Sequence, residues 1–361
     1  MDSTISTAQL GAFADLVMEK GGELYRDLPW RNTRDPYAIW LSEVMLQQTQ
    51  VSTVIPYYQR FLERFPTVSA LAEAGLDEVL QYWSGLGYYS RARNLHRCAQ
   101  AIVSEYCGFF PTEQAILATL PGIGRSTAAA IAVFSAGKKA AIMDGNAVRV
   151  LSRVFALTDS FSDASGRKRL WHFAESLLPD TNIESYTQGL MDLGATVCTR
   201  SNPQCHRCPF EGSCKARQGN RIAELPVKKA KKSLPLRETI MLIAMAEDRI
   251  LLEKRPDKGI WGGLYSLPEC PSVTGEPVGQ TARQYAGAFG TVDTCEPLMP
   301  FIHSFTHFRL NILPCIVIME KASDPLAGNR IWCRKDEALA LGLPTPVRKL
   351  IESTGRQGGL F

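Results

Sequence analysis

The 361-residue sequence predicts a mostly α-helical N-terminal domain followed by a smaller α+β domain. Residues 8–222 carry apolar side chains at helical spacing, and their short connections contain Gly, Pro, Asp or Asn. After residue 237 the apolar residues form short runs of β type, and four cysteines end the helical half. These observations predict domains at 1–222 and 237–361, joined by a linker at 223–236.

Helical spacing recurs through the first half. It covers "YAIWLSEVMLQQTQVSTVIPYYQRFLERF" and residues 91–106, 113–120, 125–136, 146–157, 167–178 and 183–197. The linker "AELPVKKAKKSLPLR" places prolines on either side of Lys228, Lys229, Lys231 and Lys232. This composition is typical of a solvated linker, which can also contact a DNA backbone.

Strand patterns dominate the second half. "ETIMLIAMAEDRILLEKR" predicts two strands with a turn at Glu247-Asp248, and "LNILPCIVIME" predicts another strand. "TARQYAGAF" and "TPVRKLIEST" predict helices, so the domain is expected to be α+β.

Composition narrows the class of protein. Hydrophobic residues make up 45% and charged residues 21%, which is typical of a globular protein, and no apolar run reaches the roughly 18 residues of a membrane helix. The N-terminus lacks a basic start followed by an apolar run, so we expect a cytoplasmic location and reduced cysteines. The net charge of +4 suits a nucleic-acid partner and equally a mildly basic enzyme.

The cysteine run "CTRSNPQCHRCPFEGSC" has the spacing C-x6-C-x2-C-x5-C, formed by Cys198, Cys205, Cys208 and Cys214. Four thiolates so close in sequence can hold one metal centre. A single zinc ion accepts four thiolates, and an iron–sulfur cluster tolerates irregular gaps between them. The residues alone leave both possibilities open.

The segment "LPGIGRSTAAAI" predicts a glycine turn before a helix that begins at Arg125 or Ser126. The free N–H groups at a helix start carry positive partial charge, so Gly122 and Gly124 could present an anion site. An ordinary helix–helix turn is the alternative.

Two carboxylates stand out. Asp144, in "MDGNAVRVLSRVF", is predicted to cap the helix beginning near Ala147. Glu43, in "IWLSEVMLQQTQ", has apolar neighbours on a helix, and desolvation raises the pKa of a carboxyl in such a place. A raised pKa suits a general acid at neutral pH, although an exposed helical glutamate is the ordinary alternative.

The cysteine spacing resembles the 4Fe–4S loop of the endonuclease III family of DNA glycosylases, and residues 113–136 resemble the helix-hairpin-helix motif of that family. The resemblance implies one structural 4Fe–4S cluster on the loop 198–214. It also implies double-stranded DNA as the partner, with the amides of Gly122 and Gly124 on one phosphate and Asp144 as a catalytic residue.

Several longer segments, "SEVMLQQTQV", "GLGYYSRARNL", "LPGIGRSTA" and "MDGN", together resemble the MutY family of adenine glycosylases. The resemblance implies base excision repair that removes a flipped-out adenine paired with 8-oxoguanine or guanine. Glu43 would protonate adenine, Asp144 would stabilise the sugar cation, and Asn146 would orient Asp144. The remaining expected contacts are Gln48 and Tyr88 as wedges in the duplex, Thr49 and Leu86 beside them, and Arg26, Arg31 and Gln188 around adenine.

Ser126 separates two activities on this fold. In endonuclease III the matching residue is a lysine, whose amine attacks the sugar and enables strand cleavage. Serine cannot form a Schiff base, so we expect hydrolysis that leaves an abasic site. The alternative, a bifunctional pyrimidine-damage glycosylase and lyase of the endonuclease III type, is disfavoured by Ser126 and by the additional domain.

The C-terminal half resembles a Nudix-type domain, beginning at "WGGLYSLPE" (261–269). The Nudix magnesium motif lacks its three carboxylates at residues 284, 287 and 288, so a reading module is expected rather than a hydrolase. "FIHSFTHFRL" resembles a damage-recognition loop with Phe305, Thr306 and His307, where the family commonly has serine at the position of Thr306. We expect a monomer on DNA, cytoplasmic and associated with the nucleoid.

Overall fold

A computed structural model describes residues 7–24, 26–227, 233–273, 275–323 and 328–354. The chain divides into two compact units, one of residues 1–72 with 97–231 and the other of residues 73–96 with 232–361. A division drawn along the sequence does not capture the grouping of 73–96 with the C-terminal residues. Of the predicted linker, Lys228, Lys229, Lys231 and Lys232 lie outside the described residues.

The described part of the N-terminal half folds into helices. They are α1 Thr7–Gly21, α2 Pro36–Leu46, α3 Val51–Arg64, α4 Val68–Glu73, α5 Leu76–Trp83, α6 Ser90–Tyr106, α7 Gln114–Leu117, α8 Arg125–Ala136, α9 Gly145–Val154, α10 Ala164–Ser176, α11 Ile183–Asp192 and α12 Lys215–Gln218. A π-helical turn, Leu193–Val197, extends α11. The first unit has a core in which Phe13, Ala129, Val133 and Leu151 are at most 3% exposed.

The long apolar run after residue 36 forms two helices rather than one. α2 ends at Leu46 and α3 begins at Val51, with Gln48 at a φ of 60° between them. A side chain with a β-carbon rarely adopts this left-handed conformation, and helical spacing alone does not reveal it. The break leaves Gln48 exposed between two well-packed helices.

The second unit contains a mixed sheet. Its strands are β1 Leu236–Ala246, β2 Arg249–Lys254, β3 Tyr265–Ser266, β4 Glu269–Cys270, β5 Gly290–Pro297, β6 Phe301–Ser304, β7 Arg309–Ala322 and β8 Arg330–Arg334. The main path is β3-β2-β1-β7-β5, while β4 pairs with β1, β6 with β7 and β8 with β2. β1 and β7 are parallel, with Ile240 opposite Leu313. The α+β prediction is confirmed, as is the β1–β2 turn at Glu247-Asp248.

Three helices follow or flank this sheet: α13 Val278–Ala286, α14 Lys335–Ala340 and α15 Thr345–Ser353. α13 packs on β5 and β7, where Ala282, Ala286 and Val317 are fully buried. None of the described helices has the length and apolar character needed to cross a membrane.

Residues 73–96 are built into the second unit by specific contacts. The Ser84 hydroxyl donates to the Leu343 carbonyl at 2.9 Å, and the Tyr89 hydroxyl donates to the same carbonyl at 3.2 Å. The Lys254 ammonium pairs with Asp77 at 2.7 Å. These contacts attach the segment that carries Tyr88 to the sheet-containing unit.

Candidate active site

Glu43 lies on α2, which begins with Asp35 accepting a hydrogen bond from the Tyr37 amide and with Pro36 as its first residue. The residues on either side of it, Ser42 and Val44, are buried. Burial raises the pKa of Glu43 from an ordinary 4.5 to about 7, and the negative charge of Asp144 adds to the shift. A substantial fraction of Glu43 is therefore protonated at neutral pH.

Asp144 immediately precedes α9 and caps it. One carboxylate oxygen accepts hydrogen bonds from the amides of Asn146 at 3.0 Å and Ala147 at 2.7 Å. The other accepts from the Asn146 side-chain amide at 2.9 Å. Burial raises the pKa of Asp144, while these hydrogen bonds and the charge of Arg149 oppose the rise. The expected N-cap is present, and α9 begins at Gly145, two residues before the predicted position.

The two carboxyls differ in what surrounds the charge. Three hydrogen bonds and a nearby guanidinium favour the anion of Asp144, whereas the anion of Glu43 is opposed by burial and by its neighbour. Such unequal environments favour Glu43 as the proton donor and Asp144 as the anion. The arrangement can supply a proton and a negative charge to one reacting centre.

Arg149 fixes the orientation of Asn146, although no motif in the sequence marks it as a site residue. Its guanidinium donates to the Asn146 side-chain oxygen at 2.8 Å and to the Gly194 carbonyl at 2.6 Å. The amide nitrogen of Asn146 therefore points to Asp144. Arg149 also donates to the Cys198 carbonyl at 2.6 Å, which joins α9 to the cysteine loop. Because Arg149 follows Asn146 by one turn of α9, the sequence spacing alone places the two side chains next to each other.

A cavity of about 460 Å³ opens beside Glu43 and is also lined by Arg26, Arg31 and Gln188. Ligand pockets commonly measure about 300–1,000 Å³. The three residues predicted to contact adenine therefore line the same cavity as Glu43, the predicted acid. Their role toward adenine stays a prediction.

Asp192 organises that cavity and was missed in the sequence. Its side chain is 0% exposed and accepts from Arg26 at 2.7 Å, from both terminal nitrogens of Arg31 at 2.7 and 2.9 Å, and from Gln188 at 3.2 Å. Such a bidentate arginine–carboxylate pair has fixed geometry. Asp192 lies four residues after Gln188 on α11, and this helical spacing is the local pattern that places the two side chains on one face.

The glycine turn precedes α8, which begins at Arg125 as expected. Gly122 has a φ of 77°, where glycine is favoured, whereas Gly124 has an extended conformation that any residue adopts. A β-carbon on Gly124 would meet no protein atom within 4 Å. A side chain at position 124 would therefore extend into open space at the start of α8.

Ser126 lies beside the loop that carries Asp144. Its hydroxyl accepts a hydrogen bond from the Met143 amide at 3.2 Å. A longer side chain at position 126 would start next to the predicted catalytic aspartate, so the residue type at 126 matters for the chemistry.

The predicted wedge residues belong to different units. Gln48 and Thr49 lie between α2 and α3 in the first unit, and Leu86 and Tyr88 lie in the second. Gln48 and Tyr88 both have left-handed backbones, with φ of 60° and 49°. Strain of this kind is common at functional sites. Tyr88 is 41% exposed, whereas Leu86 is buried.

Phe305, Thr306 and His307 follow β6, and the exposed pair Thr306-His307 joins β6 to β7. They line a second cavity of about 1,050 Å³ together with Tyr88 and Arg255. The segment "GLGYYSRARNL" (85–95) and the motif "FIHSFTHFRL" (301–310) are distant in sequence but line one cavity within the second unit.

The four predicted ligand cysteines line one small cavity, together with Val150, Val154 and Ile222. Cys198 follows the π-helical turn, Cys205 starts a 3₁₀ turn, and Cys214 precedes α12. Arg153, 3% exposed, donates to the carbonyls of Thr199 and Leu225 at 2.7 and 3.0 Å and holds the loop. Convergence of four thiols suits a metal centre, although within the described ranges no group of three or more Cys, His, Asp or Glu has ligating geometry.

Two family models match the chain. Residues 41–175 match the HhH-GPD superfamily of base excision DNA repair proteins, and residues 239–353 match the NUDIX domain. The helical unit with its glycine turn and the sheet-containing unit thus define a helix-hairpin-helix base excision repair protein with a Nudix-like domain.

Curated relatives narrow the class. The chain is 36% identical to the adenine DNA glycosylase of Buchnera aphidicola subsp. Acyrthosiphon pisum, over 94% of this chain and 97% of the relative. It is 35% identical to the human adenine DNA glycosylase, over 98% of this chain and 76% of the relative. The chain belongs to the adenine DNA glycosylase (MutY) family.

Solved structures resemble the helical unit. A thermostable thymine-DNA glycosylase is 30% identical with a TM-score of 0.52, covering 58% of this chain and 96% of its own. Endonuclease III in a non-covalent DNA complex is 21% identical with a TM-score of 0.51, covering 60% and 99%. The latter supports the fold alone.

Proposed function

We propose that this protein removes adenine paired with 8-oxoguanine or guanine in duplex DNA, by hydrolysis of the N-glycosidic bond. The observation that carries the proposal is the pair of unlike carboxyls: Glu43, whose pKa burial raises to about 7, and Asp144, whose carboxylate accepts hydrogen bonds from the amides of Asn146 and Ala147. Membership of the adenine DNA glycosylase family identifies adenine as the nucleobase that is removed.

The chemistry follows from these two groups. Glu43 protonates a ring nitrogen of adenine, so that the base leaves with the electrons of the C1′–N bond. The cation left on the sugar is stabilised by the carboxylate of Asp144. Water then adds to C1′ and releases a proton, and the product is an abasic site. Adenine reaches the cavity beside Glu43 only after leaving the base stack.

Ser126 limits the reaction to hydrolysis. A lyase step needs an amine that forms a Schiff base with the sugar, and a serine hydroxyl cannot provide it. The bifunctional alternative therefore lacks its nucleophile at the position next to Met143 and Asp144.

The proposed DNA contacts rest on the family resemblance and, for the start of α8, on the positive partial charge of free helix amides. The first amides of α8, behind Gly122 and Gly124, would take one phosphate. Gln48 and Tyr88 would enter the duplex, with Thr49 and Leu86 beside them. Phe305, Thr306 and His307 would read 8-oxoguanine, and the protein would bind DNA as a monomer.

One 4Fe–4S cluster would be held by Cys198, Cys205, Cys208 and Cys214. The four thiols on one cavity support this donor set, because such clusters take four cysteine thiolates at irregular spacing. The cluster would stabilise the loop that Arg149 and Arg153 connect to α9.

The decisive experiment measures adenine release in a single turnover from duplexes with adenine opposite 8-oxoguanine, guanine or thymine. Release from the first two, with an uncleaved abasic product, supports the proposal. Strand cleavage without added base, or release of a damaged pyrimidine instead of adenine, would favour the bifunctional alternative. Asp144→Asn is the matched variant, since it keeps the shape and removes the charge.

A further inference from the structure

Residues 305–308 connect β6 to β7 as a hairpin whose two-residue tip is Thr306-His307. Ser304 is opposite Arg309, and the Phe305 amide donates to the Phe308 carbonyl at 2.9 Å, which closes the hairpin. Two-residue hairpins favour turns with positive φ and residues such as Asn-Gly. Neither Thr306 nor His307 has a positive φ. The tip therefore does not owe its conformation to preferred turn residues.

A stack of side chains supports the hairpin at its base. We define the aromatic stack as Phe308, Phe305 and Trp261. The rings of Phe308 and Phe305 are parallel within 19° and 4.5 Å apart, and the Trp261 ring lies 5.3 Å from Phe305. Arg237 lies over Phe308 at 4.5 Å and Arg255 over Trp261 at 5.6 Å, so a guanidinium covers each end.

Trp261 is the member of the stack that comes from outside the hairpin. It is 8% exposed and has a left-handed backbone with a φ of 56°. Its ring also contacts His303 of β6 at 5.6 Å. A bulky residue in this conformation is strained and persists where its surroundings hold it. The next residue is tied down as well, because Arg93 donates to the Gly262 carbonyl at 2.5 Å.

We infer that Trp261 is a positioning residue for damage recognition: its ring, backed by Arg255, holds Phe305 so that Thr306 and His307 face the cavity they share with Tyr88. The inference rests on the proposed function. Arg255 is itself anchored by an ion pair with Glu269, so the support continues into β4.

The test compares variants of the full-length protein. Trp261→Asn removes the ring but suits a left-handed backbone, and Trp261→Phe keeps an aromatic ring. Trp332→Leu is the matched control, because Trp332 packs against the core of the same unit and donates to the Ser323 carbonyl. Single-turnover rates of adenine release are measured opposite 8-oxoguanine and opposite guanine.

We expect Trp261→Asn to lower the ratio of the two rates roughly tenfold, the effect of losing two ring contacts. The rate opposite guanine should stay within about twofold of the wild type, since Glu43 and Asp144 are untouched. Trp261→Phe should recover most of the ratio, and Trp332→Leu should leave it unchanged.

Amide hydrogen exchange of the peptide 301–310 gives a second readout that does not depend on activity. Trp261→Asn should accelerate exchange of the Phe305 amide, which closes the hairpin. Unchanged exchange overturns the inference whatever the rates are. Faster exchange with an unchanged ratio also overturns it, because the tip is then not the reader. A wild-type protein that releases adenine equally fast opposite the two bases also overturns the inference, whereas one that releases adenine opposite neither base refutes the proposed function.

Discussion

Replacing Glu43 by glutamine should make the protein more stable while abolishing its activity. The folded state raises the pKa of Glu43 from 4.5 to about 7. Its protonated form is therefore favoured by folding, and this contribution is complete below pH 4.5 and lost as the pH rises towards 7 and above. An uncharged amide of the same shape has no such pH dependence.

The magnitude follows from the two pKa values. Relative to an unfolded chain with a pKa of 4.5, the raised pKa of Glu43 lowers the free energy of unfolding by less than about 1 kcal/mol at pH 5 and by about 3 kcal/mol at pH 8. Glu43→Gln should therefore gain about 2 kcal/mol in free energy of unfolding, relative to wild type, between these pH values. Adenine release should fall by at least about 100-fold, because the amide cannot act as the acid.

Urea unfolding of both proteins at pH 5, 6, 7 and 8 measures this difference, followed by a signal from the helical unit. Glu63→Gln, an exposed substitution on α3, is the matched control and should show no pH-dependent gain. A stability difference that stays flat from pH 5 to 8 would refute the raised pKa. Near-normal release by Glu43→Gln would refute its role as the acid.

Three further outcomes are expected. Asp192→Asn leaves Arg26 and Arg31 without their buried counter-charge, so unfolding should become easier by about 3–5 kcal/mol and free adenine should bind more weakly, as calorimetry would show. Ser126→Lys places an amine beside the loop of Asp144, so borohydride should trap a covalent complex with DNA that wild type does not form. Protein purified anaerobically should contain about four irons per chain and absorb in the visible, and Cys208→Ser should lose both; zinc in their place would contradict the cluster.

Much of the fold was predictable from local pattern. The helices of the first half, the turn at Glu247-Asp248 and the strand after residue 309 follow from apolar spacing and turn residues. The short strands β3, β4, β6 and β8 were missed because runs of two to five residues carry little periodicity. The break at Gln48 was missed because its left-handed backbone has no glycine to signal it.

The candidate site was predictable only in part. Motifs identified Glu43 and Asp144, since each lies in a distinctive segment. Asp192 and Trp261 act through contacts with residues distant in the sequence, such as Arg31 and Phe305. Spacing along the chain does not encode such contacts, so residues that hold others in place become visible only in three dimensions.

The grouping of residues 73–96 with the second unit has a consequence for the design of altered chains. Tyr88 and the Thr306-His307 tip belong to the same compact unit, although more than two hundred residues separate them in the sequence. Their mutual geometry is set by contacts such as Ser84 with Leu343, so lengthening the lysine-containing linker should not alter it. A C-terminal deletion is a different matter: it strips partners from Ser84 and Tyr89 and uncovers α5. Such a truncated chain tests two losses at once, and the cleaner dissection is by point substitution within the intact protein.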